Sequence, residues 1–256
     1  MTRRIVCVEN SAVLADVSAR TFVDRAVQAI ETNGSFRVAL AGGNTPRAVY
    51  ARIATDTAFA SRIDWRRVQF FFGDERHVPP EHRESNFRMA REALFDRLPI
   101  RADQICRIKG EYDDPSRAAR EYEATLQQQF ALLPGEWPRF DLVLLGMGPD
   151  GHTASLFPGI EALTERHRLV VSSWIKKFQT SRITLTMPVL NNADAVMFMV
   201  AGQDKAEAVA TVLEDPPDPL RFPAQSIQPA RGDLLWLIDR AAGAGLSESF
   251  LMEQQS

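Results

Sequence analysis

The sequence predicts an α/β protein built on a doubly wound, mostly parallel sheet with flanking helices. Three observations lead there. Short apolar runs alternate with segments of helical periodicity along the whole 256-residue chain. Several runs are apolar throughout, as strands buried on both faces must be. Three of them end in short Gly-rich or charged turns, at the strand ends where open parallel sheets bind ligands.

The elements follow in order. Arg4 to Val8 reads as the first strand. Ser11 is the expected cap of a long helix carrying Val23, Ala26, Val27 and Ile30 at helical spacing, which Asn33-Gly34 stops. Phe36 to Ala41 is the second strand. Gly42-Gly43-Asn44 then turns into a helix, with Thr45 as the expected N-cap and Pro46 at the first helical position. Val68 to Phe72 is a strand, and Gly73-Asp74-Glu75-Arg76 follows it as a charged loop. Glu84 to Arg97 reads as a helix, Gln104 to Ile108 as a short strand, and Pro115 to Leu133 as a helix. Asp141 to Leu145 is a buried strand leading through a Gly-rich turn to His152, expected at the start of a short helix. Arg182 to Thr186 and Ala195 to Ala201 are strands, Asp204 to Leu213 is helical, and Leu234 to Ile238 is the last strand. Four prolines between Asp215 and Pro223 leave a surface loop there. With no internal repeat and no low-complexity linker, residues 1–256 are read as one domain.

Composition narrows the class. A hydrophobic share of 45% with 25% charged residues is that of an ordinary globular protein. A net charge of −3 offers no basic field for nucleic acid or an anionic membrane. Cys7 and Cys106 are the only cysteines and lie far apart, which argues against a disulfide framework and a thiolate zinc site. Two buried, reduced thiols are the expectation. The apolar run after Arg3-Arg4 stops at Glu9, too short for a secretory segment, and no run approaches the roughly 18 apolar residues of a membrane span. The expected protein is soluble, cytoplasmic and monomeric, with Phe250-Leu251-Met252 docked on its own chain.

The chemistry concentrates at strand ends. Gly42, Gly43, Asn44 and Thr45 lie between a strand and a helix N-terminus, where backbone N–H groups and the helix dipole suit an anion. The turn is neither a Walker loop nor a full dinucleotide fingerprint, so a phosphomonoester or carboxylate fits it better than a nucleotide. Arg76 is placed to bind phosphate or an oxyanion, and Asp74 to act as a base or fix a turn. His152, beside Asp150 in the turn GMGPDGH, brings an imidazole suited to proton transfer at neutral pH. Arg182 and Lys205 are candidate phosphate cations, and His77 and His82 read as surface residues. Each candidate has a structural alternative: a ligand-free turn at Gly42–Thr45, a solvated cluster at Asp74–Arg76, and a turn-capping histidine at 152.

Taken together the blocks resemble the 6-phosphogluconolactonase family. The matching segments are ALAGGNTPRAVY (39–50), FFGDERHVPPEHRESNFRMAREALF (71–95), DLVLLGMGPDGHTASLFPG (141–159), SRITLTMPVLNNADAVMFMVAGQDKAEAV (181–209) and LLWLIDRAA (234–242). DGHTASLFP and GDERHVP are specific, whereas GGNTP is shared with related sugar-phosphate enzymes. The resemblance implies hydrolysis of 6-phospho-D-glucono-1,5-lactone in the oxidative pentose phosphate pathway, with no metal or organic cofactor. It implies a Rossmann-like fold shared with glucosamine-6-phosphate deaminases and ribose-5-phosphate isomerases. His152 matches the family's general base, Asp150 the acid of the same turn, and Arg76 an active-site arginine. Lys176 to Ser181 departs from the family, which usually has a proline-containing stretch there. Two other readings stand beside this one. A deaminase or isomerase would use Asp74 as base, but it would need a carboxylate five residues after the histidine to orient it. That position is Phe157, an apolar residue expected to be unable to orient an imidazole. A non-catalytic sugar-phosphate sensor would keep the anion loop and need no base.

Overall fold

The computed structural model describes residues 2–253. Strands and helices are numbered in chain order. The main sheet contains β1 (Thr2–Val8), β2 (Phe36–Leu40), β3 (Val68–Phe72), β5 (Leu142–Leu145), β8 (Ala195–Val200) and β9 (Asp233–Asp239). Its spatial order is β1-β9-β8-β5-β2-β3, and every neighbouring pair is parallel. β5 and β8 are buried at every position, which is why their sequences are unbroken apolar runs. The helices of this layer are α1 (Ser11–Asn33), α2 (Asn44–Thr55), α3 (Thr57–Ala60), α4 (Asn86–Ala93), α5 (Pro115–Gln129), α6 (Met187–Asn191), α7 (Ala206–Glu214) and α8 (Glu248–Glu253). Packed aromatics fill the layers: Phe198 and Trp236 stack 3.8 Å apart across β8 and β9, and Phe71, Phe130 and Phe140 cluster near β3.

A second, antiparallel sheet of order β4-β7-β6 sits at the carboxyl edge of the first. It is made of β4 (Asp74–Arg76), β7 (Thr180–Leu185) and β6 (Val170–Ile175). The Leu185 N–H donates to Gly73 O at 2.8 Å, which ties β7 to the end of β3.

The structure differs from the sequence expectations at several ends. Asn10, not Ser11, caps α1 by accepting from the N–H groups of Ala12 and Val13. The first turn of α2 begins at Asn44 behind Gly43, so Thr45 lies inside the helix and is not its cap. Gln104–Ile108 forms only an isolated bridge, Ile105 to Phe70: Gln104 ends a short 3-10 helix (Ala102–Gln104), and its side chain donates to the carbonyls of Trp65 and Val68. No helix follows His152; Thr153 and Leu156 close a tight turn instead. The segment Val-Val-Ser-Ser-Trp-Ile forms a strand that was not anticipated. Cys106 is buried, but Cys7 is exposed on an edge strand. Phe250 packs against the core, while the side chains of Leu251 and Met252 lie outside the described residues.

Two buried tyrosines finish the strands that carry the site. At the end of β2, Tyr50 Oη accepts from Ala41 N–H at 3.0 Å and donates to Ala41 O at 2.9 Å. At the end of β3, Tyr122 Oη does the same for Phe72, at 2.8 and 3.0 Å. Burial pushes both phenols far above the ordinary tyrosine range, so they stay neutral and keep their proton to donate. Each satisfies backbone groups where a ladder ends, just before a glycine turn. Tyr50→Phe keeps the ring and leaves the Ala41 N–H and C=O unpaired. It is expected to lower unfolding stability in urea by about 1–3 kcal/mol.

Candidate active site

β8, β5, β2 and β3 are consecutive in the sheet, and all point the same way. Chain order reverses between β2 and β5, the kind of switch point at which open sheets bind ligands. The loops leaving these four strands enclose a cleft of about 400 Å³. Gly42, Gly43, Asn44, Thr45, Asp74, Arg76, His152 and Lys205 all line it, from four distant stretches of chain.

The first wall is the Gly42–Thr45 turn. No side chain caps α2 at Gly43, so the first-turn N–H groups remain for a ligand. Gly42 is required sterically: a Cβ there would sit 1.8 Å from Asn86 Oδ1. Asn86 was not singled out from the sequence. Its Nδ2 donates to Asp74 O at 2.9 Å and to Asp74 Oδ1 at 3.1 Å, linking this turn to β4. The only sequence signal near it is Ser85, which caps α4 by accepting from Arg88 N–H.

The Asp74–Arg76 segment is not a solvated cluster: Asp74 is 7% exposed and Glu75 only 2%. Asp74 Oδ2 accepts from Ser155 Oγ at 2.5 Å, which fastens β4 to the histidine turn. Glu75 accepts from the backbone N–H groups of Arg76, Asn86 and Phe87 and from Ser85 Oγ. Burial raises the Glu75 carboxyl above its usual range, and these N–H groups oppose the rise. Arg76 donates to Glu84 O at 2.6 Å and faces the cleft. Arg182 pairs directly with Arg76 across β4 and β7, so the two guanidiniums share one face of the small sheet. Arg182 is 8% exposed, does not line the cleft, and leaves Nη1 without a hydrogen-bond partner among the described residues. Burial, and then the Arg76 charge, hold Arg182 below the usual guanidinium range.

The third wall is the turn after β5. The Gly148 N–H donates to His152 O at 2.9 Å, and Thr153 Oγ1 donates to Gly146 O at 2.8 Å, so the turn folds back on itself. This brings His152 Nδ1 into hydrogen-bond contact with Asp150 Oδ1. A Cβ on Gly148 would lie 2.1 Å from two ring atoms of His152, so only glycine leaves room for the imidazole. The ring stacks on Phe157 at 4.1 Å and 24°. The expectation that Phe157 has no part in orienting the imidazole is therefore corrected. It sets the plane of the ring, and the hydrogen-bonding role falls to Asp150. Burial works against an ionised Asp150, but the His152 contact and the Lys177 ammonium at 2.9 Å outweigh it. The carboxyl is held well below the usual carboxylate range. Ala154 adopts φ +48, a left-handed conformation that costs a non-glycine residue about 1–2 kcal/mol, and it too lines the cleft.

Lys205 closes the fourth side, paired with Asp204 at 2.9 Å. Among the described residues, His77 is partly buried with Nε2 at 2.6 Å from Tyr112 O, and His82 is exposed. Among the described residues there is also no group of three His, Cys, Asp or Glu side chains disposed to hold a metal ion, and no helix long and apolar enough to cross a membrane.

A protein-family model described as glucosamine-6-phosphate isomerases/6-phosphogluconolactonase matches residues 9–236, a span containing every residue of the cleft. The chain belongs to this family. A 6-phosphogluconolactonase of Nostoc sp. is 46% identical over 219 residues, covering 86% of this chain and 88% of its own. One of Rattus norvegicus is 38% identical over 91% of this chain and 89% of its own. The solved structure of the 6-phosphogluconolactonase from Trypanosoma cruzi superposes with a TM-score of 0.84 at 28% identity, over 96% of this chain and 98% of that one. The six-stranded parallel sheet is thus the fold of the glucosamine-6-phosphate isomerase/6-phosphogluconolactonase family. The antiparallel β4-β7-β6 sheet supplies Asp74, Arg76 and Arg182 at its carboxyl edge.

Two outcomes are expected from this geometry. Gly148→Ala should displace His152 and abolish activity while near-wild-type circular dichroism is kept. A depressed folded-state carboxyl contributes stability above its unfolded pKa and loses it as pH falls through the folded one. The wild type should therefore lose stability below about pH 4, where free Asp titrates. Asp150→Asn should show a shallower loss over the same range, read as urea midpoints against pH.

Proposed function

We propose that the chain hydrolyses 6-phospho-D-glucono-1,5-lactone to 6-phospho-D-gluconate, the lactone step of the oxidative pentose phosphate pathway, with His152 as general base. The observation that carries this reading is the His152–Asp150 pair, set in one cleft with an uncapped helix N-terminus and Lys205. The names of the relatives support lactone hydrolysis.

The chemistry follows from the side chains. Ionised Asp150 accepts the Nδ1 proton of His152 and leaves the Nε2 lone pair free. Nε2 takes a proton from water as the water oxygen attacks the lactone carbonyl carbon. The developing oxyanion is met by Arg76 or by N–H groups of the Gly148–Thr153 turn. The tetrahedral intermediate then breaks its bond to the ring oxygen, which receives the proton back from the imidazolium. The phosphate is held by the backbone of Gly42, Gly43, Asn44 and Thr45 with Lys205, while Arg182 adds positive charge from beside Arg76.

Asp74 lies in the same cleft and would be the base of a deaminase or isomerase. Here Ser155 and Asn86 donate to its two oxygens, and Asp150 orients the histidine. Ammonia release from glucosamine-6-phosphate is therefore expected to be negligible; release at a useful rate would reverse the reading.

General-base catalysis contributes on the order of 10²–10⁴ in rate. His152→Ala should lower kcat on freshly generated lactone by about that factor, with KM within a few-fold and the spontaneous rate subtracted. Near-wild-type turnover by this variant would remove His152 as the base. Tight binding of 6-phosphogluconate by a wild type that turns nothing over would favour a sensor.

A further inference from the structure

We propose that the tip of the β6–β7 hairpin is a positioning device for the His152–Asp150 pair, with Lys177 holding the carboxylate and Phe178 bracing the imidazole through Phe157. The inference rests on His152 being the base, as proposed above, and it concerns residues that do not line the cleft.

The hairpin runs from Ile175, paired with Thr180, through a four-residue turn. The Phe178 N–H donates to Ile175 O at 3.0 Å, and Gln179 takes φ +50 to bring the chain round. The turn projects two side chains onto the histidine loop. Lys177 Nζ lies 2.9 Å from Asp150 Oδ2, while Oδ1 of the same carboxylate contacts His152. A carboxylate bound through one oxygen can swing about its terminal torsion, whereas partners on both oxygens hold its plane. On its own turn Asp150 is held through Oδ1, which also takes the His152 backbone N–H at 3.4 Å, and Lys177 is the partner that holds Oδ2.

Phe178 acts on the other half of the pair. Its ring meets Phe157 edge-on at 5.7 Å and 70°, and Phe157 in turn stacks on His152. Phe178 remains 44% exposed, so the hairpin tip meets Phe157 at the protein surface. The Lys177 ammonium and the Arg182 guanidinium lie 5.5 and 5.4 Å from its ring. Lys177 and Phe178 are the local means by which the loop is held.

The charges make the role measurable. His152 and Lys177 share the Asp150 carboxylate, so the ammonium offsets part of the negative charge that the ring faces. Removing Lys177 should therefore move the acid limb of the pH profile to higher pH. The other charged groups that line the cleft with His152 are Asp74, Arg76, Asp204 and Lys205, and Arg182 stands beside Phe178 on the hairpin; the substitution leaves all of them in place.

The test is the NMR titration of the His152 imidazole, assigned by its loss in His152→Ala, run beside kcat and KM against pH. Lys177→Met is expected to raise the His152 midpoint by a few tenths of a pH unit and to lower kcat below that midpoint about threefold with KM unchanged, the scale of a half-exposed ion pair. Lys177→Arg should restore both. Lys176→Met is the charge-matched control: Lys176 is next to Lys177 on the turn but makes no ion pair among the described residues, and its loss should leave both unchanged. Phe178→Ala should lower kcat with KM held, and Phe178→Tyr should recover it. An unmoved midpoint in Lys177→Met, or an equal shift in Lys176→Met, would overturn the positioning role. A wild type inactive on the lactone would overturn the proposed function instead, and the titration would still decide whether Lys177 acts on His152.

Discussion

Parallel pairing of β8, β5, β2 and β3 makes four loops leave the sheet at one edge, and the site exists because of that constraint. Residues 42–45, 74–76, 148–152 and 205 are far apart in the chain and adjacent in space. The reversal of order between β2 and β5 opens a crevice there, because the two connections depart in opposite directions. Tyr50 and Tyr122 fix where β2 and β3 stop, so the glycine turns begin at defined points.

The walls are held by buried polar contacts rather than by surface charge. Glu75 gathers three backbone N–H groups and pins the start of α4 beneath β4. Asp74 joins β4 to the histidine turn through Ser155 and to the Gly42 turn through Asn86. Each contact answers a polar group that would otherwise be desolvated without a partner. The cleft is therefore preformed, as catalysis by oriented dipoles requires. Glycine plays the converse part: at positions 42 and 148 a methyl group would overlap Asn86 and His152.

The same economy explains the Arg76–Arg182 pair. Two guanidiniums stand side by side at that corner of the small sheet, one of them buried with Nη1 unpartnered among the described residues; they repel each other, and Asp74, Glu75 and Glu84 offset that repulsion. Such a corner suits a substrate carrying a phosphate and a developing oxyanion. Next to this corner, Lys177 and Phe178 at the tip of the same hairpin bring a cation and an aromatic ring to the histidine turn, and neither lines the cleft.

The chain's local pattern by itself determined the parallel sheet and the glycine turns, and it marked His152, Asp150, Arg76 and Lys205 as candidates. Apolar periodicity and strand-end glycines are properties of neighbouring residues, and neighbours are what a sequence displays. The burial of Asp74 and Glu75, the joining role of Asn86 and Ser155, the stacking of Phe157 on His152, and the reach of Lys177 to Asp150 were decided only by tertiary structure. A run such as Gly-Asp-Glu-Arg looks solvated until a second sheet covers it, and Val-Val-Ser-Ser-Trp-Ile, with two adjacent serines, is neither an unbroken apolar run nor a clean alternation. Those facts depend on which segments the sheet order brings together, and non-local pairing leaves no local mark.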